Sequence, residues 1–275
     1  MKPTKIIAAT AAALLTFSCG NAGRQTKVDA AAQPEGVKTE TVDNMKVITI
    51  KDNDGDKRMP NKLFYGTEDS AKVERLSPEG SVPSSVCCFI VEAEGKRIMF
   101  DTGNGEALGG MMLKRLEELG LTPGDIDYVV ITHFHGDHIG GLTRAGKPVF
   151  TRAELYVPKQ EYDSWLAMSS QNARDAIVTI GKYGGKVHRF AYTDSLPFGI
   201  KAMPAPGHTP GHTVYRMGSL FIAGDLMHGV ALQTQDPTIC PDYDMDRRRA
   251  VEMRKKYMEY VKENNLKVVG MHFPF

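Results

Sequence analysis

Three of the eight histidines in the chain lie within six residues, in the stretch THFHGDH that begins at Thr132. In an extended loop, positions i and i+2 point to the same side, so His133 and His135 can bind one metal ion. The intervening glycine lets the backbone turn, which directs Asp137 and His138 elsewhere, where they can hold a second ion. The alternative, a polar loop with incidental histidines, leaves the clustering unexplained.

Four ligands from one loop cannot complete two metal sites, so further ligands must come from strand ends later in the chain. A turn rich in glycine and proline, PGHTPGH, presents His208 and His212. Two apolar segments further on end in Asp225 and His272. Each of these is weak alone, because a single histidine after a strand is more often a hydrogen-bonding residue than a ligand. Together with the first loop they form a consistent ligand set.

A pair of divalent ions held by these residues would support hydrolysis. Two ions can share a bridging water and lower its pKa from about 15.7 to about 7, which provides hydroxide at neutral pH. They also polarise a carbonyl or phosphoryl oxygen. Histidine and carboxylate ligands suit zinc, with manganese, iron and cobalt as alternatives. Asp225 is suited to bridging two ions because a carboxylate has two oxygens.

The elements that must position these residues are predicted from periodicity and turn signals. Strands are predicted at residues 47–50, 84–92, 97–101, 127–132, 154–157, 186–191, 213–217, 220–223 and 267–271. Helices are predicted at residues 111–119, from 159 to 166, at 172–183 and at 244–264. Because hairpins mix with helices that separate strands, we expect two packed sheets with outer helices rather than one doubly wound parallel sheet.

Net charge argues against one class of function. The 34 basic and 33 acidic residues give a formal net charge of +1, which does not favour a nucleic-acid binder.

The cysteines do not suggest disulfide bonds. Once Cys19 is set aside, three cysteines remain, Cys87, Cys88 and Cys240, and an odd number is a poor disulfide framework. They are expected to be small buried residues.

The first residues are typical of an export signal. Lys2 and Lys5 precede an apolar run at 6–17, which is too short to span a membrane. Cys19 follows this run among small neighbours, which resembles a bacterial lipoprotein cleavage site. An ordinary cleaved signal peptide and a buried N-terminal helix remain alternatives.

We therefore predict a signal peptide of lipoprotein type at residues 1–19, a flexible tether at 20–43 and one domain at 44–275. The protein is expected to be exported, either as a membrane-anchored lipoprotein or in the periplasm. Its attachment to the membrane would depend only on a lipid at Cys19. The sequence gives no indication of the oligomeric state.

The metal-binding motifs resemble, in order and spacing, those of the metallo-β-lactamase superfamily. The match comprises HFHGDH from His133, GHTPGH ending at His212, the Gly-Asp pair ending at Asp225 and Gly-Met-His ending at His272. The turn DTG that begins at Asp101 also resembles a family feature. The resemblance covers about residues 45–275 and implies an α/β fold: an αββα sandwich of two mixed sheets flanked by helices, with the metals at one edge.

The resemblance also implies a role for each residue. Three histidines would bind the first metal, and two histidines with an aspartate would bind the second. These residues are His133, His135 and His208 for the first ion, and Asp137, His138 and His272 for the second. Asp225 would bridge the ions, and it would share the catalytic role with Asp137. Without binding a metal, His212 would support the site and Asp101 would be a structural turn residue. Apart from the resemblance, His228 is expected to line the pocket because it lies three residues past Asp225.

Departures from the family's branches narrow the expected substrate. Classical zinc β-lactamases have a cysteine where Asp225 stands and lack the histidine at 138, which argues against β-lactam cleavage. The diiron branch has glutamate where His135 stands, and the nucleic-acid-cleaving members carry an extra domain. The chain is more similar to lactonases, glyoxalase II and methyl parathion hydrolase.

The expected activity is therefore hydrolysis of a small ester, lactone or thioester, with an organophosphate triesterase or phosphodiesterase as the alternative. A non-catalytic metal-binding surface protein is a third possibility. A protein of that kind is expected to have lost some ligands, whereas all seven ligand positions are filled here. Apolar residues near the motifs predict a hydrophobic pocket, although each is also a candidate for the core: Met111, Met112, Phe134, Leu226, Met227, Met271 and Phe273. Family members usually continue past the strand before His272, whereas this sequence has three residues after His272. We therefore expect either a natural short form or a truncated sequence.

Overall fold

The computed structural model describes residues 33–67 and 70–275, which belong to one compact unit, Gln33–Phe275. The predicted signal peptide, the lipid-bearing Cys19 and the first part of the predicted tether lie outside the described residues. Among the residues described, no helix is both long and apolar enough to cross a membrane.

The strands and helices follow one another along the chain in a mixed order. The strands are β1 Val37–Val42, β2 Met45–Lys51, β3 Lys57–Pro60, β4 Ser81–Ser84, β5 Cys87–Ala93, β6 Lys96–Phe100, β7 Tyr128–Val130, β8 Thr143–Arg144, β9 Lys147–Pro148, β10 Glu154–Pro158, β11 Val187–Phe190, β12 Lys201–Pro204, β13 Thr213–Met217, β14 Leu220–Ile222 and β15 Lys267–Val269. The helices are α1 Ser70–Leu76, α2 Met112–Glu118, α3 Gly136–Ile139, α4 Lys159–Ala167, α5 Gln171–Gly181, α6 Val230–Gln233 and α7 Arg247–Glu263. The 3₁₀ segments are Asn61–Thr67, Glu106–Leu108, Pro123–Asp125, Gly140–Leu142, Gly184–Lys186 and Pro197–Gly199.

Two sheets form the centre of the domain. The larger has seven strands in the order β1-β2-β5-β6-β7-β10-β11, antiparallel up to β6 and parallel from β6 to β11. The smaller has the order β12-β13-β14-β15, in which only β14 and β15 are parallel. Both sheets are therefore mixed, as predicted.

Side chains that alternate between the two faces of the central strands explain the layers of the sandwich. In β5, Cys88 and Ile90 pack with α2, α4 and α5, whereas Phe89 and Val91 pack with the smaller sheet. Because successive strand residues point to opposite faces, a strand covered on both faces is apolar throughout, and β5 is buried from Cys87 to Val91. The other face of the smaller sheet packs on α7 through Phe221 and Tyr257. The predicted αββα sandwich is confirmed.

Some predicted boundaries are wrong. The tether was predicted to reach residue 43, but Val37–Val42 is the edge strand β1, fully paired with β2. Its four middle residues are polar and are exposed or half-buried, so in the sequence they resemble a linker. The helix predicted from residue 244 begins at Arg247, because Asp246 caps it by accepting a hydrogen bond from the Arg249 amide at 3.0 Å. Residues 244–246 therefore precede α7 instead of belonging to it, and they can contact the site.

Candidate metal centre

The candidate ligands meet at one edge of the sandwich because several strands end there. The loop after β7 carries His133 and His135, and α3 carries the next two ligands on its first turn. From the smaller sheet, the loop between β12 and β13 brings His208, β14 is followed by Asp225, and β15 by His272. All seven predicted ligands are brought together, and they fall into two groups.

The first group contains three histidines and a carboxylate. The Nε2 atom of His133 lies 3.0 Å from Nδ1 of His135 and 3.2 Å from Nε2 of His208, and the latter two atoms are 2.8 Å apart. Oδ2 of Asp225 lies 3.2 Å from the His208 nitrogen. Ligand nitrogens about 2.0 Å from a tetrahedral zinc ion stand about 3.3 Å apart. The spacing fits a metal ion of this kind.

The second group shares the same carboxylate oxygen. Nε2 of His138 lies 3.6 Å from Asp137 and 3.3 Å from Oδ2 of Asp225. Nε2 of His272 lies 3.3 Å from Asp137 and 3.1 Å from Oδ2 of Asp225. Within the described residues, Nε2 of His138 and Oδ1 of Asp225 are buried without a hydrogen-bond partner. Buried orphan atoms of this kind are costly unless a cation satisfies them, so the residues fit a second ion.

The electrostatics of the cluster favour metal-binding forms of several ligands. Burial raises the pKa of Asp225, but the surrounding histidines, His138 foremost, outweigh burial and hold it well below its usual value. Burial lowers the pKa of His133 strongly and that of His135 to about 3, which leaves both neutral with a lone pair available. Burial also disfavours the charged form of His208, but Asp225 and Asp244 outweigh it and raise the pKa of His208 to about 9.

The residues predicted to support the site do make supporting contacts. Asp101 accepts hydrogen bonds from Nδ1 of His138 at 2.6 Å and from the amide and hydroxyl of Thr132 at 2.8 and 2.7 Å. His212 accepts a hydrogen bond from the backbone amide of Asp225 at 2.9 Å through Nε2. Nδ1 of His272 donates to the carbonyl of Ser85 at 2.9 Å. Such partners fix the orientation of metal-binding side chains.

One glycine is required for this arrangement. Gly224 precedes the bridging carboxylate and has a φ of 53°, a conformation that other residues rarely adopt. A Cβ atom there would lie 2.4 Å from Nε2 of His212. Only glycine therefore lets the strand end approach the histidine closely enough for the hydrogen bond to the Asp225 amide.

Two buried carboxylates at the site were missed from the sequence. Glu161, near the start of α4, accepts hydrogen bonds from the amides of Phe134 and Gly211 at 3.1 and 2.7 Å and from the hydroxyl of Thr209 at 2.9 Å. It joins the two loops that carry the first metal group. Asp244 accepts a hydrogen bond from Nδ1 of His208 at 2.9 Å. Neither carboxylate belongs to a local motif, so the sequence offers no signal for it.

The cavity at the metal centre has a volume of about 370 Å³ and is lined by residues other than the apolar ones predicted. Besides the ligands, it is lined by Lys57, Met59, Gly136, Tyr243 and His228, the last of which was the predicted pocket residue. Nε2 of His228 lies 2.9 Å from Oδ2 of Asp225.

The predicted apolar lining is mostly wrong. Met112 and Met271 are buried in the core, because they point between the layers of the sandwich. Leu226, Met227 and Phe273 line a separate apolar groove against α7. Phe134 lines a neighbouring cavity of about 330 Å³, which shares His135 and Gly136 with the metal cavity. Met111 lines neither of the two cavities beside the metals.

A family model and several curated relatives match much of the chain. The family model described as the metallo-beta-lactamase superfamily matches residues 82–259. The N-acyl homoserine lactonase AiiA of Bacillus thuringiensis subsp. kurstaki is 27% identical over 179 residues, which cover 57% of this chain and 66% of that relative. The match therefore spans just under two thirds of the relative's length. Ribonuclease Z of Pyrococcus abyssi is 42% identical over 66 residues, 24% of this chain and 18% of the relative.

Solved structures share the fold. AidC, described as a dizinc quorum-quenching lactonase in complex with its product, superimposes with a TM-score of 0.80 at 23% identity, over 87% of this chain and 91% of that chain. The hydrolase AbOPH of the beta-lactamase superfamily superimposes with a TM-score of 0.78 at 24% identity, over 88% and 92% of the two chains.

Proposed function

Because the chain belongs to the metallo-beta-lactamase superfamily, we propose that it is a hydrolase whose two-ion centre cleaves a small ester, lactone or thioester. The observation that carries the proposal is the convergence of seven ligands into two groups that share one oxygen of Asp225. The lactonases among its relatives and structural neighbours support a lactone as the first substrate to test.

We assign the first ion to the group of His133, His135 and His208, and the second to the group of Asp137, His138 and His272. Bound divalent ions, with zinc the best match to these ligands, supply a water molecule of lowered pKa and polarise the scissile carbonyl. Oδ2 of Asp225 lies 3.2 Å from His208 in the first group and 3.1 Å from His272 in the second, so this carboxylate would contribute to holding both ions. No ligand is a cysteine, which agrees with a centre for hydrolysis other than that of β-lactams.

Two side chains of the cavity wall are suited to contact the substrate. Burial raises the pKa of Tyr243, so its hydroxyl stays protonated and can donate a hydrogen bond. Its hydrogen bond to the Met59 sulfur at 3.7 Å is to a weak acceptor, which a substrate oxygen would replace favourably. Lys57 lines the same cavity with a positive charge and would favour the carboxylate that ester or lactone cleavage produces.

The substrate class is tested by comparing turnover of matched substrates by the zinc-loaded full chain. The set is an N-acyl homoserine lactone, a simple aryl ester, an acyl thioester, a phosphotriester and a phosphodiester. We expect kcat/KM for at least one carboxylic substrate to exceed that for both phosphoesters by at least about tenfold, and His133→Ala to abolish it. Faster cleavage of a phosphoester would favour the alternative activity, and no turnover by a chain that binds zinc would favour a non-catalytic metal-binding protein.

We also propose that the protein is exported and held at the membrane by a lipid on Cys19. The support is the sequence of residues 1–19: two lysines, an apolar run and a cysteine. The test is to fractionate cells that express the full chain or Cys19→Ser. We expect the substitution to release the protein from the membrane fraction, and its retention there would contradict a lipid anchor.

A further inference from the structure

The two ring nitrogens of His208 contact different parts of the molecule: one faces the metal centre and the other faces the segment before α7. Its Nε2 atom faces the first metal group, 2.8 Å from His135 and 3.2 Å from Asp225. Its Nδ1 atom lies 2.9 Å from Oδ1 of Asp244. The exposed fractions of His208 and Asp244 are 2% and 5%, so water does not compete for this contact.

Arg254, in α7, holds this carboxylate in place from the other side. Its Nη2 atom lies 3.3 Å from Oδ2 of Asp244, and the guanidinium is 1% exposed. The same side chain donates hydrogen bonds to the carbonyls of Leu226 at 2.6 Å, Pro237 at 2.8 Å and Ile239 at 3.0 Å. The planar guanidinium therefore fixes both Asp244 and the segment that follows the bridging ligand.

The backbone strengthens the same connection. The amides of Met245 and Asp246 donate hydrogen bonds to the carbonyls of His208 and Gly207, at 3.2 and 2.8 Å. A Cβ atom at Gly207 would lie 2.2 Å from the amide nitrogen of Ala250 in α7. The turn that carries the ligand thus rests directly on the start of the helix.

We propose that Asp244 is the positioning residue for His208 and that Arg254 holds Asp244, so that α7 sets the geometry of the first metal group. A carboxylate that accepts the Nδ1 proton keeps the Nε2 lone pair free and directed at the metal. This inference rests on the proposed metal centre. An alternative hypothesis is a separate ion held by His208, His228 and Asp244, because their ligand atoms also lie close together.

The test is the zinc affinity of each site in the full chain, measured by competition with a chromophoric chelator for wild type, Asp244→Asn and Arg254→Lys. The matched control is Asp242→Asn, because Asp242 lies on the same segment but forms an exposed ion pair with Arg247 at 3.1 Å. We expect one of two ions to bind roughly 10–100-fold more weakly in Asp244→Asn, with the other ion and the control unchanged. Asp244→Glu should restore part of the affinity.

The absorption spectrum of the cobalt-loaded protein separates positioning from general damage. We expect the bands of one ion to change in Asp244→Asn and Arg254→Lys while the bands of the other ion stay as in wild type. Arg254→Lys should also lower the thermal midpoint of the metal-free protein, because buried carbonyls lose donors, but a general loss of stability would not change the bands of one ion alone. Wild-type affinities in both variants, or an equal loss in Asp242→Asn, would overturn the proposal. So would a third zinc ion that disappears in Asp244→Asn, or a wild-type chain that binds no zinc. Zinc binding without turnover would instead count against the proposed hydrolase and leave the role of Asp244 standing.

Discussion

The contact between the two loops of the first metal group depends on one buried carboxylate, that of Glu161. Replacing it with leucine keeps a side chain of similar size and removes the acceptor. The amides of Phe134 and Gly211 are then left without the partners they have at 3.1 and 2.7 Å. Both loops carry metal ligands, so we expect the substitution to reduce stability and zinc affinity together.

The magnitude follows from the number of donors that lose a partner. Each buried donor left unsatisfied costs roughly 1–3 kcal/mol, so two amides cost roughly 2–6 kcal/mol. Part is offset because burial raises the pKa of Glu161, which means that the native carboxylate is itself costly to bury. A net loss of about 3 kcal/mol corresponds to a fall of roughly 6–12 °C in Tm for a domain of this size. Glu161→Gln keeps one acceptor oxygen and should lose about half as much.

The assay is calorimetric unfolding of the metal-free full chain, followed by a zinc titration. Asp163→Leu is the matched control, because Asp163 lies on α4 with its carboxylate exposed and paired with Lys159. That surface pair should contribute no more than about 1 kcal/mol. If Glu161→Leu unfolds within about 2 °C of wild type, or no lower than the control, the view that this carboxylate joins the two loops is wrong.

Three further predictions concern the same centre. Gly211→Ala should lower Tm and zinc content, because its Cβ would lie 2.2 Å from a backbone nitrogen of α4. The control Gly136→Ala has nothing within 4 Å of its Cβ and should unfold like wild type. Equal Tm values for the two variants would contradict this prediction. Asp101→Asn should weaken one zinc site by roughly 10–100-fold in chelator competition, since it removes the carboxylate that holds His138, and an unchanged affinity would count against that role. In the metal-free chain the neighbouring carboxylates raise the pKa of His208 to about 9, so below that pH zinc must displace a proton from this ring. Calorimetry at about pH 7 should therefore show proton release on zinc binding, and the zinc affinity should rise with pH. Zinc binding without proton release would refute the assignment of His208 as a ligand.

The ligands were predictable because each follows an apolar strand or lies in a short motif. His133 and His135 share one motif, and Asp225 and His272 each lie three residues after a short strand of mainly apolar residues. The layers were predictable for the same reason, since β5 and its neighbours are buried on both faces.

The contacts that join distant segments were not predictable. Glu161 meets residues 27 and 50 positions away in the chain, and Asp244 meets a histidine 36 positions away. The polar strand β1 resembles a linker until its pairing with β2 is known. The lining of the cavity depends on which way each residue near the ligands points, and the sequence does not specify this for Leu226 or Met227.

The central claim is that two ions share Asp225, and metal content per chain tests it most directly. The proteins are the purified full chain as wild type, Asp225→Ala and Asp242→Ala, the last being the exposed control. Oδ2 of Asp225 lies 3.2 Å from His208 in one group and 3.1 Å from His272 in the other, so the first substitution should affect both sites. We predict about two zinc ions in wild type and the control, and at most one in Asp225→Ala. One ion or none in wild type, or an unchanged content in Asp225→Ala, would contradict the binuclear centre.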